Sequence, residues 1–315
     1  MITTIASVGL PVDEVLEIKK NRIAPDVCTG SEKRISIVTG VHGDELEGQF
    51  VCFELQRRIR ENLQHLKGIV DIYPAMNPLG IDSVTRGIPA FDLDMNRLFP
   101  GNKDGSMTEY IASKIVADLE GSDLCIDIHA SNIFLTEIPQ VRINELHKDT
   151  LVPLAKELNI DFIWVHGAST VLESTLAYSL NSRSTPTLVV EMGVGMRITK
   201  EYCDQLTDGI FRVMHTLGIW DGEVIPPRVP IFSECPDDVS YLNAPIAGVF
   251  VPTVKHWVHL KQGDEVGRII DPLRGEVLET IVSPVDGVLF TIREYPIVNS
   301  GSLLGRMLRE EAYKP

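Results

Sequence analysis

A histidine and a glutamate lie three residues apart in the segment G-V-H-G-D-E at residues 40–45. In the first turn of a helix, this spacing lets both side chains point into one cleft. The glycines on either side of His42 allow the chain to turn sharply. His42 and Glu45 are therefore candidate metal ligands, although these residues alone also fit a solvated turn with an incidental histidine.

A second histidine, His129, follows an apolar run in the segment D-I-H-A-S at residues 127–131. A histidine in this place is more often a packed core residue than a ligand. Together with His42 and Glu45, however, it supplies two imidazoles and one carboxylate. Catalytic zinc sites use this ligand set and keep a fourth position open for water. The sequence therefore predicts one Zn²⁺ per chain.

A glutamate, Glu191, stands directly after an apolar run in the segment V-V-E-M-G at residues 189–193. Zinc hydrolases need a carboxylate beside the metal to accept a proton from the attacking water. Glu191 suits this role of general base. The alternative is a residue at the end of a strand that caps a loop.

Two arginines and their neighbours are candidates for holding substrate. Arg86 could stabilise the oxyanion that forms on an attacked carbonyl. In D-M-N-R-L-F-P-G at residues 94–101, the forked guanidinium of Arg97 suits a substrate carboxylate, to which Asn96 could also donate. Asp94 could accept a hydrogen bond from the far nitrogen of a ligand histidine. The alternatives are a solvated arginine and a polar loop with an internal salt bridge.

Alternating strands and helices are predicted to position these residues. Strands are predicted at Arg34–Thr39, Ile69–Tyr73, Leu124–Ile128 and Thr187–Val190, and helices at 45–63, 108–119 with Thr108 as the cap, 151–158 and 201–217. This order predicts an α/β fold with a mixed twisted sheet and helices on both faces. Ligands bind at the carboxyl ends of strands in such sheets. The candidate residues are expected to meet there.

The character of the chain changes near Gly218. Four prolines between residues 220 and 238 suggest a linker, and β-rich runs follow. Residues 244–250 resemble 283–289, and residues 263–268 resemble 301–306. The repeat predicts a smaller C-terminal all-β, barrel-like domain of two similar halves, like a biotinyl/lipoyl domain. We expect a catalytic domain at 1–225 and, at 226–315, a β domain covering the cleft.

Composition excludes several classes of function. A net charge of −15 opposes binding to nucleic acid. Five cysteines without a C-x-x-C pair argue against a disulfide framework or a cysteine zinc site. Neither a signal peptide nor a membrane span is apparent, so we expect a cytoplasmic protein without a membrane partner; a homo-oligomer remains open. Six other histidines fit no motif: His65, His147, His166, His215, His256 and His259.

In chain order, the motifs G-x-H-G-x-E, R, D-x-N-R-x-F-P-G, D-x-H and E-x-G resemble the succinylglutamate desuccinylase/aspartoacylase family of zinc carboxypeptidase-like deacylases. The resemblance covers about residues 35–200, and the β-rich end matches the two-domain plan of the family. It implies His42, Glu45 and His129 as zinc ligands, Glu191 as general base, Arg86 at the oxyanion, Asn96 and Arg97 on a substrate carboxylate, and Asp94 orienting His42.

The resemblance implies hydrolysis of the amide bond of a small N-acyl amino acid or N-acyl diamino acid. Members that act on acyl-aspartate carry another substrate arginine about ten residues before the catalytic glutamate. Here that place falls near Asn181, and Arg183 is a candidate replacement. Two alternatives stay open: a metallocarboxypeptidase acting on short peptides, and a catalytically inactive protein that binds zinc or carboxylates.

Overall fold

Thirteen strands of the computed structural model, which describes residues 1–89, 91–167 and 173–313, form one mixed sheet. Its main path runs in the order β1-β2-β4-β3-β5-β8-β6-β15-β17-β10. The strands of this path are β1 (Ile2–Gly9), β2 (Val15–Ile23), β3 (Arg34–Thr39), β4 (Ile69–Tyr73), β5 (Leu124–Ala130), β6 (Leu135–Asn144), β8 (Thr187–Gly193), β10 (Val239–Asn243), β15 (Gly287–Arg293) and β17 (Leu303–Arg309). Branching from it are β7 (Phe162–His166), β9 (Ile231–Ser233) and β12 (Val258–Leu260).

The centre of this sheet is parallel and buried on both faces. Strands β4, β3, β5 and β8 pair in parallel, and every residue of β5 is buried. The helices are α1 (Glu47–Glu61), α2 (Pro78–Ser83), α3 (Met107–Leu119), α4 (Lys148–Glu157), α5 (Leu176–Asn181) and α6 (Lys200–Thr216). One core joins α1, α4 and α6 to one face of the sheet, and another joins α3 and α5 to the other. The predicted mixed α/β fold is confirmed.

Several element boundaries differ from the predicted ones. Helix α3 is capped by Ser106 and not by Thr108, because Ser106 and Glu109 form a reciprocal capping box while Thr108 lies buried in the first turn. Strand β5 extends through His129, and β8 extends through Glu191. The reason is that these two polar residues still pair with each other across the parallel ladder. Helix α1 begins only at Glu47, after Glu45.

The C-terminal strands divide between two sheets. Strand β15 pairs with both β6 and β17, so it extends the large sheet. A separate four-stranded sheet contains β14 (Glu276–Val282), β13 (Glu265–Asp271), β11 (Gly248–Pro252) and β16 (Ile297–Val298), with an apolar core between the two sheets. Within the described residues no closed sheet forms, so the predicted barrel is not confirmed. The edge of β15 opposite β17 is divided between β12, which lies within its own segment, and β6, which lies outside it.

No helix in the ranges that the structure describes is both long and apolar enough to cross a bilayer.

A buried carboxylate joins the antiparallel edge of the sheet to its parallel centre. Asp71 on β4 is fully buried and accepts from Arg22 Nε at 2.7 Å, from Arg22 Nη2 at 2.6 Å and from Lys20 Nζ at 3.3 Å. Lys20 also donates to Asp118 at 2.6 Å. Burial by itself would raise the pKa of Asp71, but the Arg22 hydrogen bonds and the Lys20 charge hold it below its usual value. Asp71 therefore stabilises the fold in its ionised form.

We expect Asp71→Asn to lower the free energy of unfolding by about 3 kcal/mol, because one partner of a buried charge cluster is removed. Urea unfolding at pH 7 measures this change, with Asp82→Asn, an exposed position, as the control within about 0.5 kcal/mol. The folded pKa lies below the unfolded value of about 3.9, so the contribution is present above about pH 4 and is lost as the pH falls. A constant difference between variant and wild type down to pH 2 would contradict this assignment.

Candidate active site

The three predicted metal ligands converge at the carboxyl edge of the parallel strands. His42 and Glu45 lie in the turn between β3 and α1, and His129 lies near the end of β5. The turn passes so close to the chain at Gly80 that a Cβ atom at Gly43 would meet the Gly80 carbonyl carbon at 1.9 Å. Only glycine fits at position 43. This close approach fixes the path of the loop that carries His42 and Glu45.

The ligand atoms of this group face one another at short distances. His42 Nδ1 lies 2.7 Å from Glu45 Oε1, and His129 Nδ1 lies 2.9 Å from Glu45 Oε2. The two Nδ1 atoms are 3.2 Å apart. All three side chains are at most 4% exposed. The sequence prediction that these residues share one site agrees with this geometry, and they form a candidate metal centre among the described residues.

The outer nitrogen of each imidazole faces a carboxylate. His42 Nε2 lies 3.0 Å from Asp94 Oδ1, and His129 Nε2 lies 3.1 Å from Asp127 Oδ2. A carboxylate at Nε2 favours the tautomer that carries the ring proton there, and in that tautomer the Nδ1 lone pair points inward. The inward-facing atoms are then all acceptors, two nitrogens and the oxygens of Glu45, and acceptors this close repel unless a cation lies among them. A zinc ion with two imidazoles and one carboxylate fits this donor set.

The charges around His129 also favour a cation at this site. Burial lowers the pKa of this imidazole, but the carboxylates of Asp127 and Glu45 outweigh burial and hold the pKa well above its usual value. The surroundings of the ring therefore favour positive charge. A divalent cation supplies that charge without protonating the ligand.

The predicted substrate residues surround this centre. Arg86 Nη1 lies 3.0 Å from Glu45 Oε1, and Arg86 Nη2 lies 3.4 Å from Asp94 Oδ2. Asn96 accepts at Oδ1 from the backbone N–H of Leu176, at the first residue of α5. Arg97 is 45% exposed and donates to the backbone oxygen of Asn96. Arg86, Asn96 and Arg97 all line one cleft of about 550 Å³ beside the metal centre.

The candidate base also lines this cleft. Glu191 on β8 is paired with His129 on β5, so the two side chains lie beside each other on neighbouring strands. Burial raises the pKa of Glu191, and the positive charge of Arg142 opposes that increase. Arg142 Nη1 lies 3.4 Å from Glu191 Oε1. Glu191 is only 17% exposed, and the exposed part faces the cleft.

Arg183 lies apart from the other candidates. It is exposed, donates to the backbone oxygen of Ser179 at 2.9 Å, and is not among the described residues that line the cleft. Asn181 does line it, but its amide group bonds to both backbone groups of Thr187. The structure therefore places Arg183 outside the cleft, where it does not support a contact with substrate.

Several cleft residues have no role assigned in the sequence analysis. Asp127 could have been found from D-x-H, because residues two apart in a strand share a face. The other residues are Glu137 and Arg142 on β6, Arg306 on β17, and His147 and His166, which matched no motif. Arg306 ends the second copy of the G-x-x-x-G-R repeat, but the sequence carries no signal that this copy faces the cleft.

Known proteins match this chain over most of its length. A family model described as the succinylglutamate desuccinylase/aspartoacylase catalytic domain matches residues 31–217. An N-alpha-acetyl-L-2,4-diaminobutyric acid deacetylase from Halomonas elongata is 28% identical over 280 residues, which are 84% of this chain and 79% of that protein.

Solved structures share the fold over nearly the whole chain. A succinylglutamate desuccinylase/aspartoacylase from Rhodobacter sphaeroides has a TM-score of 0.80 at 23% identity, covering 98% of this chain and 95% of that one. The product-bound ectoine utilization protein EutE (DoeB) from Ruegeria pomeroyi has a TM-score of 0.83 at 18% identity, covering 97% and 94%.

We expect Asp127→Asn to weaken zinc binding by about 10- to 100-fold, because His129 loses the carboxylate that fixes its tautomer. Competition with a chromogenic chelator measures the affinity. His129→Gln removes a ligand and marks the fully defective limit, and Asp149→Asn, an exposed position, is the matched control. Unchanged affinity in Asp127→Asn would contradict the role given to this carboxylate.

Proposed function

Because the chain belongs to the succinylglutamate desuccinylase/aspartoacylase family, we propose that it hydrolyses the amide bond of a small N-acyl amino acid or N-acyl diamino acid. The observation that carries the proposal is the cluster of inward-facing acceptors at His42, Glu45 and His129, with Glu191 on the neighbouring strand. The named activity of the Halomonas relative supports an N-acyl diamino acid as one candidate substrate.

Each residue of the site has a defined task in this reaction. When bound, zinc supplies a Lewis acid and lowers the pKa of a coordinated water to about 7. Glu191 accepts a proton from the attacking water and delivers it to the leaving amine. Arg86 donates to the carbonyl oxygen as negative charge develops there. Asn96 and Arg97 hold the substrate carboxylate, for which the exposed guanidinium of Arg97 is available at the cleft.

The size of the cleft favours a small substrate over a peptide chain. Its volume of about 550 Å³ is in the usual range for small-molecule sites. We propose that residues 226–315 form the smaller domain that covers its mouth. Three contacts support this arrangement: Arg306 lines the cleft, Tyr295 packs edge-on against Phe134, and Tyr202 Oη lies 2.7 Å from His256 Nε2. A metallocarboxypeptidase acting on short peptides remains the second candidate.

We expect the zinc-loaded protein to release free amine from at least one of a panel of N-acetyl, N-succinyl and N-formyl amino acids and diamino acids. Glu191→Gln should lower kcat by about 10²- to 10⁴-fold, because proton transfer is lost. Amine release is followed with an amine-reactive fluorophore, and zinc content by elemental analysis should stay unchanged. Glu276→Gln, at the exposed start of β14, is the control.

Three outcomes would contradict the proposal. Full activity in Glu191→Gln would remove the base assignment. Turnover of dipeptides with none of the acylated amino acids would favour the carboxypeptidase, and inactivity towards both panels would favour a protein that only binds zinc or carboxylates.

We expect Arg97→Met to raise KM by about 10- to 100-fold for a substrate with a free carboxylate, because a bidentate ionic contact is lost. The same variant should barely change KM for the matching carboxamide, which offers no charge to bind. Steady-state kinetics on the two substrates measure the difference. An equal loss on both would show that Arg97 does not recognise the carboxylate.

A further inference from the structure

Four charged side chains form a continuous chain from the catalytic cleft to the C-terminal segment. Arg142 contacts Glu191 through Nη1 at 3.4 Å, and through Nη2 it contacts Glu137 Oε1 at 2.9 Å and Oε2 at 2.8 Å. Arg306 Nη1 contacts Glu137 Oε1 on the other side. The charges alternate in sign along Glu191, Arg142, Glu137 and Arg306, so their sum is zero.

The register of three strands creates this chain. Thr291 on β15 is paired with Arg306 on β17 and, on its other edge, with Glu137 on β6. The three residues therefore stand in one row across the sheet. Glu191 on β8 stands in a neighbouring row, because it pairs with Gln140 of β6 and not with Glu137. Arg142 connects the two rows by contacting both Glu191 and Glu137. An arginine far along the chain thus reaches the cleft because β15 lies between β6 and β17.

Glu137 holds Arg142 in place. Its carboxylate is 1% exposed and also accepts from Gln140 Nε2 at 2.9 Å. Arg142 packs over the ring of Trp164, with the guanidinium carbon 5.8 Å from the ring centroid. While Nη2 is held by Glu137, Nη1 is the guanidinium nitrogen that meets Glu191.

From this geometry we infer that Arg142 is a positioning residue for Glu191 and that Arg306, from the C-terminal segment, acts through Glu137 and Arg142 to hold it there. The inference rests on the proposed function, since it concerns the residue assigned as the base. It makes the C-terminal segment part of the catalytic machinery, because the row of charges is incomplete without Arg306.

The arginine in the first copy of the repeat, Arg268, lies in different surroundings from Arg306 in the second copy. Arg268 occupies the place in the first copy that Arg306 occupies in the second. Its guanidinium lies on the exposed surface and pairs with Glu265 at 2.8 Å, three residues away. The two arginines come from the same local motif, and only the one whose strand joins the large sheet reaches the cleft.

The test is a double-mutant cycle on kcat and KM with the best substrate of the wild type. We expect Arg142→Met to lower kcat by about 100-fold and Arg306→Met by about tenfold, both with KM nearly unchanged, because a misplaced base slows the chemical step and not binding. The double variant should be no slower than Arg142→Met alone, because Arg306 acts through Arg142. Added guanidinium should partly restore Arg142→Met.

Control variants separate this role from stability. Arg268→Met and Arg309→Met remove exposed arginines of the same segment and should leave kcat unchanged. Arg142→Lys keeps one charge and should fold even where Arg142→Met does not. Because one ammonium cannot bridge two carboxylates in the same way, its kcat should still fall several-fold. Zinc content and melting temperature are measured for every variant.

Three results would overturn the inference: a higher KM with kcat unchanged, a double variant whose losses multiply, or unaltered kcat in Arg142→Lys. Crystal structures provide a readout that needs no turnover. In Arg306→Met, we expect Arg142 Nη1 to move away from Glu191, and an unmoved contact would refute the positioning role. An inactive wild type would instead count against the proposed function, while the crystal structures would still decide the positioning.

Discussion

The candidate site depends on the close approach of hydrogen-bond acceptors from His42, Glu45 and His129. Two imidazole nitrogens and the oxygens of Glu45 face one another at 2.7 to 3.2 Å, while the outer ring nitrogens face the carboxylates of Asp94 and Asp127. Positive charge among these atoms stabilises the arrangement, and a divalent cation can supply it. The surroundings are organised accordingly, since carboxylates turn each ring and Arg86 bonds to Glu45 from outside. The candidate metal centre therefore depends on the surrounding residues as well as on His42, Glu45 and His129.

Much of this site could be predicted from the sequence, for a physical reason. Each ligand lies where a strand of the parallel sheet ends, and the carboxyl ends of parallel strands meet at one edge. Short motifs that follow predicted parallel strands therefore indicate which distant residues lie close together in space. The fold class was predictable on the same grounds, because apolar runs alternate with helical stretches and the central strands are buried on both faces.

The remaining features follow from strand register, which no local pattern reveals. Arg306 and Arg268 stand in matching repeats, yet one faces the cleft and the other faces solvent. The barrel expected from the repeat failed to appear for the same reason, because β15 forms its second ladder with β6. Arg183 was a candidate from the family resemblance, but it follows the end of α5 and lies on the surface. The place of a side chain that depends on long-range strand pairing therefore cannot be predicted from local sequence and requires a three-dimensional structure.

The shared strand β15 also limits how far the C-terminal segment can move from the large sheet. Because Thr291, Ile292 and Arg293 form backbone ladder pairs with β6, the C-terminal segment is held to the catalytic sheet by a hydrogen-bonded seam. Swinging that segment away as a hinged unit would break the seam and separate the row of charges behind it. The ladder between β15 and β6 therefore opposes a hinged movement of the C-terminal segment relative to the large sheet.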